Sequence, residues 1–302
     1  MKVKEKIIIV VISSISVVIV GLTWYAYWKI DFLNLTCFLE TYKLGDFGDF
    51  IGGFLGTILT GIATFLVYRT YVTQKKELKV QRKLIAQQQF ENTFFNMLNV
   101  HRELKKNLSY KEISISDDLI QNGKLYDGLS TINYINTMYT KNYKDLKHRN
   151  HSLPGTLQNS KLIQLEKDLS KYNEINEENI LIVCFTDLFK NHQNQISHYC
   201  RNVYHILKYI RENEKNKTLG KDQKKYKNYA SIFQSQLNVD EQFLLFYNFI
   251  HFNEKRKGIY STINLVNHYT FLENIGIDNL LFKKHEEFYD FVIEGSDRII
   301  VK

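Results

Sequence analysis

The feature that most constrains this chain is a long uncharged stretch close to its first residue. From Ile7 to Trp28 the sequence reads IIIVVISSISVVIVGLTWYAYW, 22 residues without a charge. As a helix it rises about 33 Å, enough to cross the hydrocarbon core of a bilayer. Its far end carries an aromatic cluster typical of the headgroup level: Trp24, Tyr25, Tyr27 and Trp28. A secretory signal peptide would be shorter and would precede a cleavage site, so the stretch predicts a membrane anchor.

A second uncharged stretch, Phe50 to Tyr68, reads FIGGFLGTILTGIATFLVY. It predicts a second span, so residues 1–70 are expected to form a transmembrane hairpin with spans at about 7–28 and 50–69. Small residues recur every four positions and form two strips on one helix face, namely Gly48, Gly52, Gly56 and Thr60, and Gly53, Thr57 and Gly61. Packing against the first span is the favoured interpretation, and an oligomerisation face that lines a pore is the alternative.

Basic residues flank the two spans unevenly. Lys2, Lys4 and Lys6 precede the first span, and the connector 29–49 contains only Lys29 and Lys43. Six basic residues follow the second span, namely Arg69, Lys75, Lys76, Lys79, Arg82 and Lys83. Because Lys and Arg are retained on the cytoplasmic side, both termini are predicted to be cytoplasmic. The six basic residues are expected to contact anionic lipid headgroups, with RNA as the weaker alternative.

No proline or glycine occurs between Ile62 and Gly123. The second span is therefore predicted to continue as one helix, with residues 71–89 forming a basic juxtamembrane segment. Leu78 and Ile85 are seven residues apart, which is the spacing of a short coiled coil in an oligomer. Further along, Phe94, Leu98 and His101 share one helix face, which favours a core helix in which His101 is a hydrogen-bonded core residue.

Residues 90–302 are predicted to form one cytoplasmic helical domain, which makes the fold class all-α. We expect a helix from Asp117 to Asp145 and an exposed loop from His148 to Ser160 around the single proline of the chain. Asn238 and Glu241 have the spacing of a capping box at a helix start. Two more helices are expected in YSTINLVNHYTFLENIG and KKHEEFYDFV, and a strand or tail at residues 299–301.

Composition excludes several classes of chemistry. Cys37, Cys184 and Cys200 are the three cysteines, and they have neither metal-site spacing nor the even number of a disulfide framework. The chain lacks the GxxxxGK[ST], GxGxxG, HExxH and GxSxG motifs of nucleotide-hydrolysing enzymes, dinucleotide-binding proteins, metalloproteases and serine hydrolases. We therefore expect no cofactor, no metal and no conventional enzymatic site. A net charge of +8 fits contact with anionic lipid or nucleic acid, and equally a lysine-rich soluble surface.

The most chemically suggestive cluster lies in QISHYCRNVYHILKYIRE. His198, Arg201, Asn202 and His205 fall at i, i+3, i+4 and i+7, which places them on one helix face. They are the candidate catalytic residues of an RNA-cleaving or phosphate-binding site, in which a histidine moves a proton and an arginine stabilises developing charge. A buried polar network that joins helices is the favoured interpretation. Three residues separate Arg201 from His205, fewer than in the helical ribonucleases of the higher-eukaryote and prokaryote nucleotide-binding type.

Four segments resemble, in their order and spacing, the phage abortive infection membrane proteins of bacteria, the AbiC-like family. They are GDFGDFIGGFLGTILT (Gly45 to Thr60), FENTFFNMLNVHREL (Phe90 to Leu104), HYCRNVYHILKYI (His198 to Ile210) and YASIFQSQLNVDEQFLLFYN (Tyr229 to Asn248). The resemblance covers residues from about 45 to 270. It implies a role in antiviral defence, in which an infected cell stops growing before phage mature, and it implies no active site.

The leading hypothesis is therefore a defence effector in the bacterial inner membrane that permeabilises the bilayer after its cytoplasmic domain senses infection. Its expected partners are the lipid bilayer and either further copies of itself or another protein of the defence system. One alternative is a membrane-tethered RNase or nucleic-acid-binding effector that uses the face of His198, Arg201, Asn202 and His205. The other is a non-catalytic scaffold that recruits a separate toxin.

Overall fold

The computed structural model describes residues 41–116, 119–148, 157–216, 222–252 and 258–297, together with Gly21, Trp24, Tyr25 and Trp28. The predicted first span, apart from those four positions, and the predicted strand or tail at residues 299–301 lie outside the described residues. The chain divides into two compact units, Met1–Val80 and Gln81–Lys302. Over the described residues it is mostly helical, as expected, while the predicted hairpin and domain boundaries stay predictions.

Helix α1 runs from Thr41 to Lys106 and has 66 residues. This length confirms that the second apolar stretch continues into a long helix without a break. Among the described residues it is the one helix long and apolar enough to cross a membrane, and none of its most apolar window is buried. Threonine hydroxyls in and just after this window donate to the carbonyl four residues earlier, at Thr57, Thr64, Thr70 and Thr73. This bond satisfies a hydroxyl without any partner from outside the helix.

A β-hairpin follows α1, so the predicted helix from Asp117 to Asp145 is wrong over residues 119–127, while a helix that begins at Leu129 confirms its second part. Strand β1, Ser109–Ser116, pairs antiparallel with β2, Leu119–Asp127. SYKEISIS alternates polar and apolar residues, which favours a strand. The register shifts between Lys111 and Ile113. A Cβ at Gly123 would lie 1.6 Å from the backbone oxygen of Glu112, so only glycine fits opposite this irregularity.

Six further α-helices lie in the described part of the chain: α2 Leu129–His148, α3 Leu157–Leu169, α4 Glu177–Glu214, α5 Gln223–Gln234, α6 Val239–His251 and α7 Thr262–Tyr269. The predicted loop from His148 to Ser160 overlaps the first residues of α3, which begins at Leu157, and its residues 149–156 lie outside the described residues. The predicted helix in KKHEEFYDFV is instead a short 3₁₀ segment, Lys283–Phe288, after two others at Glu273–Ile275 and Ile277–Asn279.

Helix α4 is the central element of the second unit and contacts α2, α3, α5, α6 and α7. Helix α6 lies beside it and is buried from Glu241 to Ile250. The capping box at its start is confirmed, because Asn238 and Glu241 each bond the backbone N–H of the other. The end of α1 joins this core through Phe90, whose ring centroid lies 5.5 Å from Tyr209 of α4 and 4.9 Å from Tyr229 of α5.

Candidate functional site

The four candidate residues on α4 share one face, but that face is largely solvated. The side chains of His198, Arg201 and His205 are exposed, and Asn202 is half-buried. Arg201 donates from Nη2 to Ser197 Oγ at 3.1 Å, and the His205 ring lies edge-on to Tyr204 at 5.2 Å. The favoured interpretation, a buried network that joins helices, therefore fits Asn202, the least exposed of the four.

Asn202 bonds a buried histidine of α1. Its Oδ1 lies 3.2 Å from Nδ1 of His101, whose side chain is 1% exposed. A carbonyl oxygen can only accept, so Nδ1 carries the proton. Burial lowers the pKa of His101 to about 4, reinforced by the charge of Lys105 and opposed by the bond to Asn202. His101 is thus a neutral, hydrogen-bonded core residue at pH 7, as expected from its position in the helix.

Glu241 forms the next polar junction and was noticed in the sequence only as a capping residue. Its carboxylate is fully buried and accepts from Lys105 Nζ of α1 at 3.2 Å and from the Tyr199 hydroxyl of α4 at 2.8 Å. One carboxylate therefore connects α1, α4 and the start of α6. Its charge is paired and hydrogen-bonded, which is the condition for burying a carboxylate without a large penalty.

A second polar cluster, which sequence analysis missed, holds the C-terminal segment in place. The backbone N–H of Leu281 donates to the Tyr247 hydroxyl at 2.8 Å. Nδ1 of His285 accepts from that hydroxyl at 2.9 Å, because the other ring nitrogen faces a carboxylate, which only accepts. Nε2 of His285 then donates to Glu177 at 3.1 Å. Burial lowers the pKa of His285, although Glu177 opposes the change. The His285 side chain is 1% exposed, so this buried chain of hydrogen bonds holds the C-terminal segment against α4 and α6.

A third cluster lies at the C-terminal end of α4. Glu214 accepts from Arg211 and from the Tyr269 hydroxyl, both at 2.8 Å, and from His268 at 3.0 Å. Burial acts to raise the pKa of Glu214, but these donors outweigh it and lower the pKa overall. The residues belong to α4 and α7 and are only recognisable as a group once those helices are packed.

A cleft of about 340 Å³ opens where α4, α6 and the start of α7 meet. Its size is at the lower end of the range for small-molecule sites. Most of its surface is apolar and aromatic, and its lining residues are Phe189, Gln193, Ser197, Cys200, Arg201, Tyr204, Asn248, Phe249, Phe252 and Thr262. Arg201 is the candidate residue that the structure places in this cleft, while His198, Asn202 and His205 are not among the lining residues.

Two buried polar side chains, Asn248 and Thr262, lie in the wall of the cleft. They are 5% and 3% exposed, respectively. The amide nitrogen of Asn248 has no hydrogen-bond partner among the described residues. The nearby thiol of Cys200 is not a nucleophile, because burial raises its pKa to about 12. The cleft thus offers hydrogen bonds and one positive charge, without a reactive group.

Helix α4 is kinked directly beside this cleft. His192 has φ −124° and ψ 18°, outside helical geometry, and the next residue, Gln193, lines the cleft. The His192 ring is buried and lies edge-on to Tyr110 of β1 at 4.9 Å. The kink therefore lies where Tyr110 of the hairpin packs against α4.

The residues predicted to face the membrane all lie on α1. No described atom outside the helix backbone lies within 4 Å of a Cβ built at Gly52, Gly53, Gly56 or Gly61. Thr57 and Thr60 are exposed, and the surroundings of Gly48 are outside the described residues. Arg69, Lys75, Lys76, Lys79, Arg82 and Lys83 are all exposed. Within the described part of the chain, no group of three His, Cys, Asp or Glu side chains could hold a metal ion.

Comparison with known proteins agrees with the resemblance over the second half of the chain. No curated protein and no solved structure shows significant similarity to it. A family model described as "Putative phage abortive infection protein" matches residues 191–280. The match includes two of the four resembling segments, the α4 segment from His198 and the α5–α6 segment from Tyr229. The chain therefore carries, over residues 191–280, a domain of the Putative phage abortive infection protein family.

Proposed function

We propose that the protein is an abortive-infection effector that is anchored in the bacterial inner membrane by a two-pass hairpin and perturbs that membrane after infection. The family match supports the defence role. The observation that carries the membrane output is helix α1, which contains an unburied apolar window and is a single helix from Thr41 to Lys106. A helix without a break leaves no flexible linker between the apolar window and the end that packs into the core.

The small-residue strips support packing of the apolar window against another helix. Helix association in lipid depends on close backbone approach, because lipid tails are as apolar as the side chains. The exposed positions Gly52 and Gly56 of one strip and Gly53 and Gly61 of the other offer such an approach. Rearrangement of this packing between a first span and further copies is the proposed output.

The segment after the window supports an oligomer at the membrane surface. At 100° per residue, the six basic side chains from Arg69 to Lys83 fall within an arc of about 140°. Leu78 and Ile85 lie outside this arc, about 40° and 60° beyond Arg82 at its edge, and each is 52% exposed. A helix with a basic face for lipid headgroups and a separate apolar seam for a second copy fits both predicted partners.

The test is Gly56→Leu, with Ile58→Phe as its matched control. Both changes add bulk to the apolar window, but Ile58 lies about 200° away from Gly56 around the helix. In cells that express the full chain, Gly56→Leu is expected to abolish loss of membrane potential, measured with a potential-sensitive dye, while Ile58→Phe retains it. Growth arrest by the wild-type chain at full membrane potential contradicts the proposed output.

A membrane-tethered RNase is the second candidate function, and the solvent exposure of His198, Arg201 and His205 on one face of α4 favours it. This function requires that His205→Ala abolish both toxicity and RNA decay without lowering the melting temperature. It also requires that Gly56→Leu remain toxic, because RNA cleavage by the tethered domain does not depend on packing of the spans. Total RNA from expressing cells separates the two functions directly.

A further inference from the structure

The cleft between α4, α6 and α7 has the composition of a ligand site. Among its described lining residues, Arg201 is the one charged side chain, so its charge has no carboxylate beside it in the cleft. The guanidinium is held at the rim by its hydrogen bond to Ser197 Oγ, at 3.1 Å. A fixed guanidinium without an acidic neighbour is suited to a phosphate, which it can bind through two parallel hydrogen bonds.

The inner part of the cleft is suited to a flat ring. Four aromatic side chains contribute to its walls: Phe189, Tyr204, Phe249 and Phe252. The rings of Phe189 and Phe252 are half-buried, lie 5.1 Å apart between centroids and meet at 74°. Aromatic walls bind nucleobases through their faces, and each stacked base contributes about 1–3 kcal/mol.

Asn248 adds a polar contact to this apolar wall. A buried amide that lacks a partner costs free energy, so an unsatisfied Asn248 Nδ2 in the wall requires an explanation. A side-chain amide presents a donor and an acceptor next to each other, which matches the edge of an adenine. Nδ2 itself has almost no accessible surface, so a bound base satisfies the amide once the side chain turns towards the cleft, and it covers the aromatic wall at the same time.

We propose that this cleft binds a free nucleoside monophosphate, with the base against the aromatic wall and Asn248 and the phosphate on Arg201. The volume of about 340 Å³ accommodates one nucleotide rather than a strand of RNA. Nine of the ten lining residues fall within the matched domain, 191–280. The inference is independent of the membrane output and concerns binding alone.

The experiment is calorimetric titration of the full chain in detergent micelles with four probes: AMP, adenosine, inorganic phosphate and a six-residue oligoadenylate. AMP is expected to bind, adenosine more weakly, and phosphate more weakly than AMP. Arg201→Gln is expected to weaken AMP binding at least tenfold, since a charge-assisted bond contributes about 1.5–3 kcal/mol, and to leave adenosine binding unchanged. Arg102→Gln, an exposed arginine of α1 outside the cleft, is the matched control and is expected to change neither.

The proposal is overturned if AMP does not bind at about 5 mM, a concentration at which even a millimolar site is occupied. It is also overturned if Arg201→Gln and Arg102→Gln bind AMP with equal affinity. Tighter binding of oligoadenylate than of AMP overturns it as well, because that result assigns the cleft to RNA. Because Arg201 is exposed, a melting curve of Arg201→Gln verifies that the fold is retained. These results do not affect the membrane-potential assay with Gly56→Leu. A failure of the proposed nucleotide binding can therefore be distinguished from a failure of the proposed effect on the membrane.

Discussion

Two parts of helix α1, residues 52–80 and residues 90–106, differ in how far their side chains are buried. From Gly52 to Val80 most side chains are exposed, including Phe54, Phe65 and Tyr68. From Phe90 to Lys106 the same helix buries one face in aromatic and polar contacts. The helix periodicity is the same in both parts, so the difference comes from what each surface meets. Apolar residues all round are suited to lipid, whereas one apolar stripe is suited to a protein core.

Polar side chains also find different hydrogen-bond partners in the two regions. In and just after the apolar window, Thr57, Thr64, Thr70 and Thr73 donate back to their own helix. In the core, His101 and Lys105 reach Asn202 and Glu241 on other helices. Substitutions in the core end should therefore change the free energy of unfolding of the second unit, Gln81–Lys302, while those in the basic segment should change the proposed contact with the membrane.

The largest expected effect is that of Phe94→Ala. This side chain is fully buried and its ring lies 5.2 Å from Tyr229 and 6.2 Å from Phe90, between centroids. Removing it leaves a cavity and should lower the free energy of unfolding by about 3–5 kcal/mol. The neighbouring Phe95→Ala is the control, because Phe95 is 48% exposed and should cost much less. Urea unfolding of the full chain in detergent measures the free energy of unfolding of both variants. Similar losses in the two variants would show that Phe94 is not buried in the core.

The next effect is a loss of folding stability at acidic pH, and it depends on His101. Its pKa is about 4 in the folded chain against an ordinary value near 6.5, so the unfolded chain binds the proton first as the pH falls. The contribution of neutral His101 is complete above pH 6.5 and is lost between pH 6.5 and 4, by up to about 3 kcal/mol. His101→Gln keeps a partner for Asn202 and removes this titration, so its stability should fall less over that interval.

Melting temperatures from pH 7.5 to pH 5 test this prediction, with His198→Gln on the exposed face of α4 as the control. Burial also lowers the pKa of His192, His268 and His285, so part of the acid sensitivity should remain in His101→Gln. An unchanged pH dependence in His101→Gln would contradict the assignment of a neutral buried imidazole.

The smallest effect is expected in the basic segment of α1. Lys79→Ala removes one exposed charge near the predicted membrane surface and should weaken attraction to anionic lipid by about 1 kcal/mol. Co-flotation with vesicles of increasing phosphatidylserine content measures the change, on a variant that also carries Gly56→Leu to prevent permeabilisation. Lys144→Ala on α2 is the control, since this lysine lies outside the segment. The difference should vanish at high salt, because exposed charges are screened.

Much of the local structure was predictable because it depends on neighbours in the chain. The long helix followed from the lack of proline and glycine after Ile62, and the start of α6 from the spacing of Asn238 and Glu241. The hairpin was missed, although SYKEISIS alternates as a strand should. The predicted helix from Asp117 to Asp145 ran through Gly123, which the structure shows to be a position where two backbones approach each other.

The amino-acid sequence by itself determined where apolar length, charge and helix continuity lie, because these properties belong to consecutive residues. It also placed His198, Arg201, Asn202 and His205 on one helix face. Only the tertiary structure decided that Asn202 pairs with a buried histidine 101 residues earlier, that Glu241 joins three helices and that Arg201 stands at an aromatic cleft. Those properties arise from packing between distant segments, and periodicity within a single helix carries no information about which partner lies opposite.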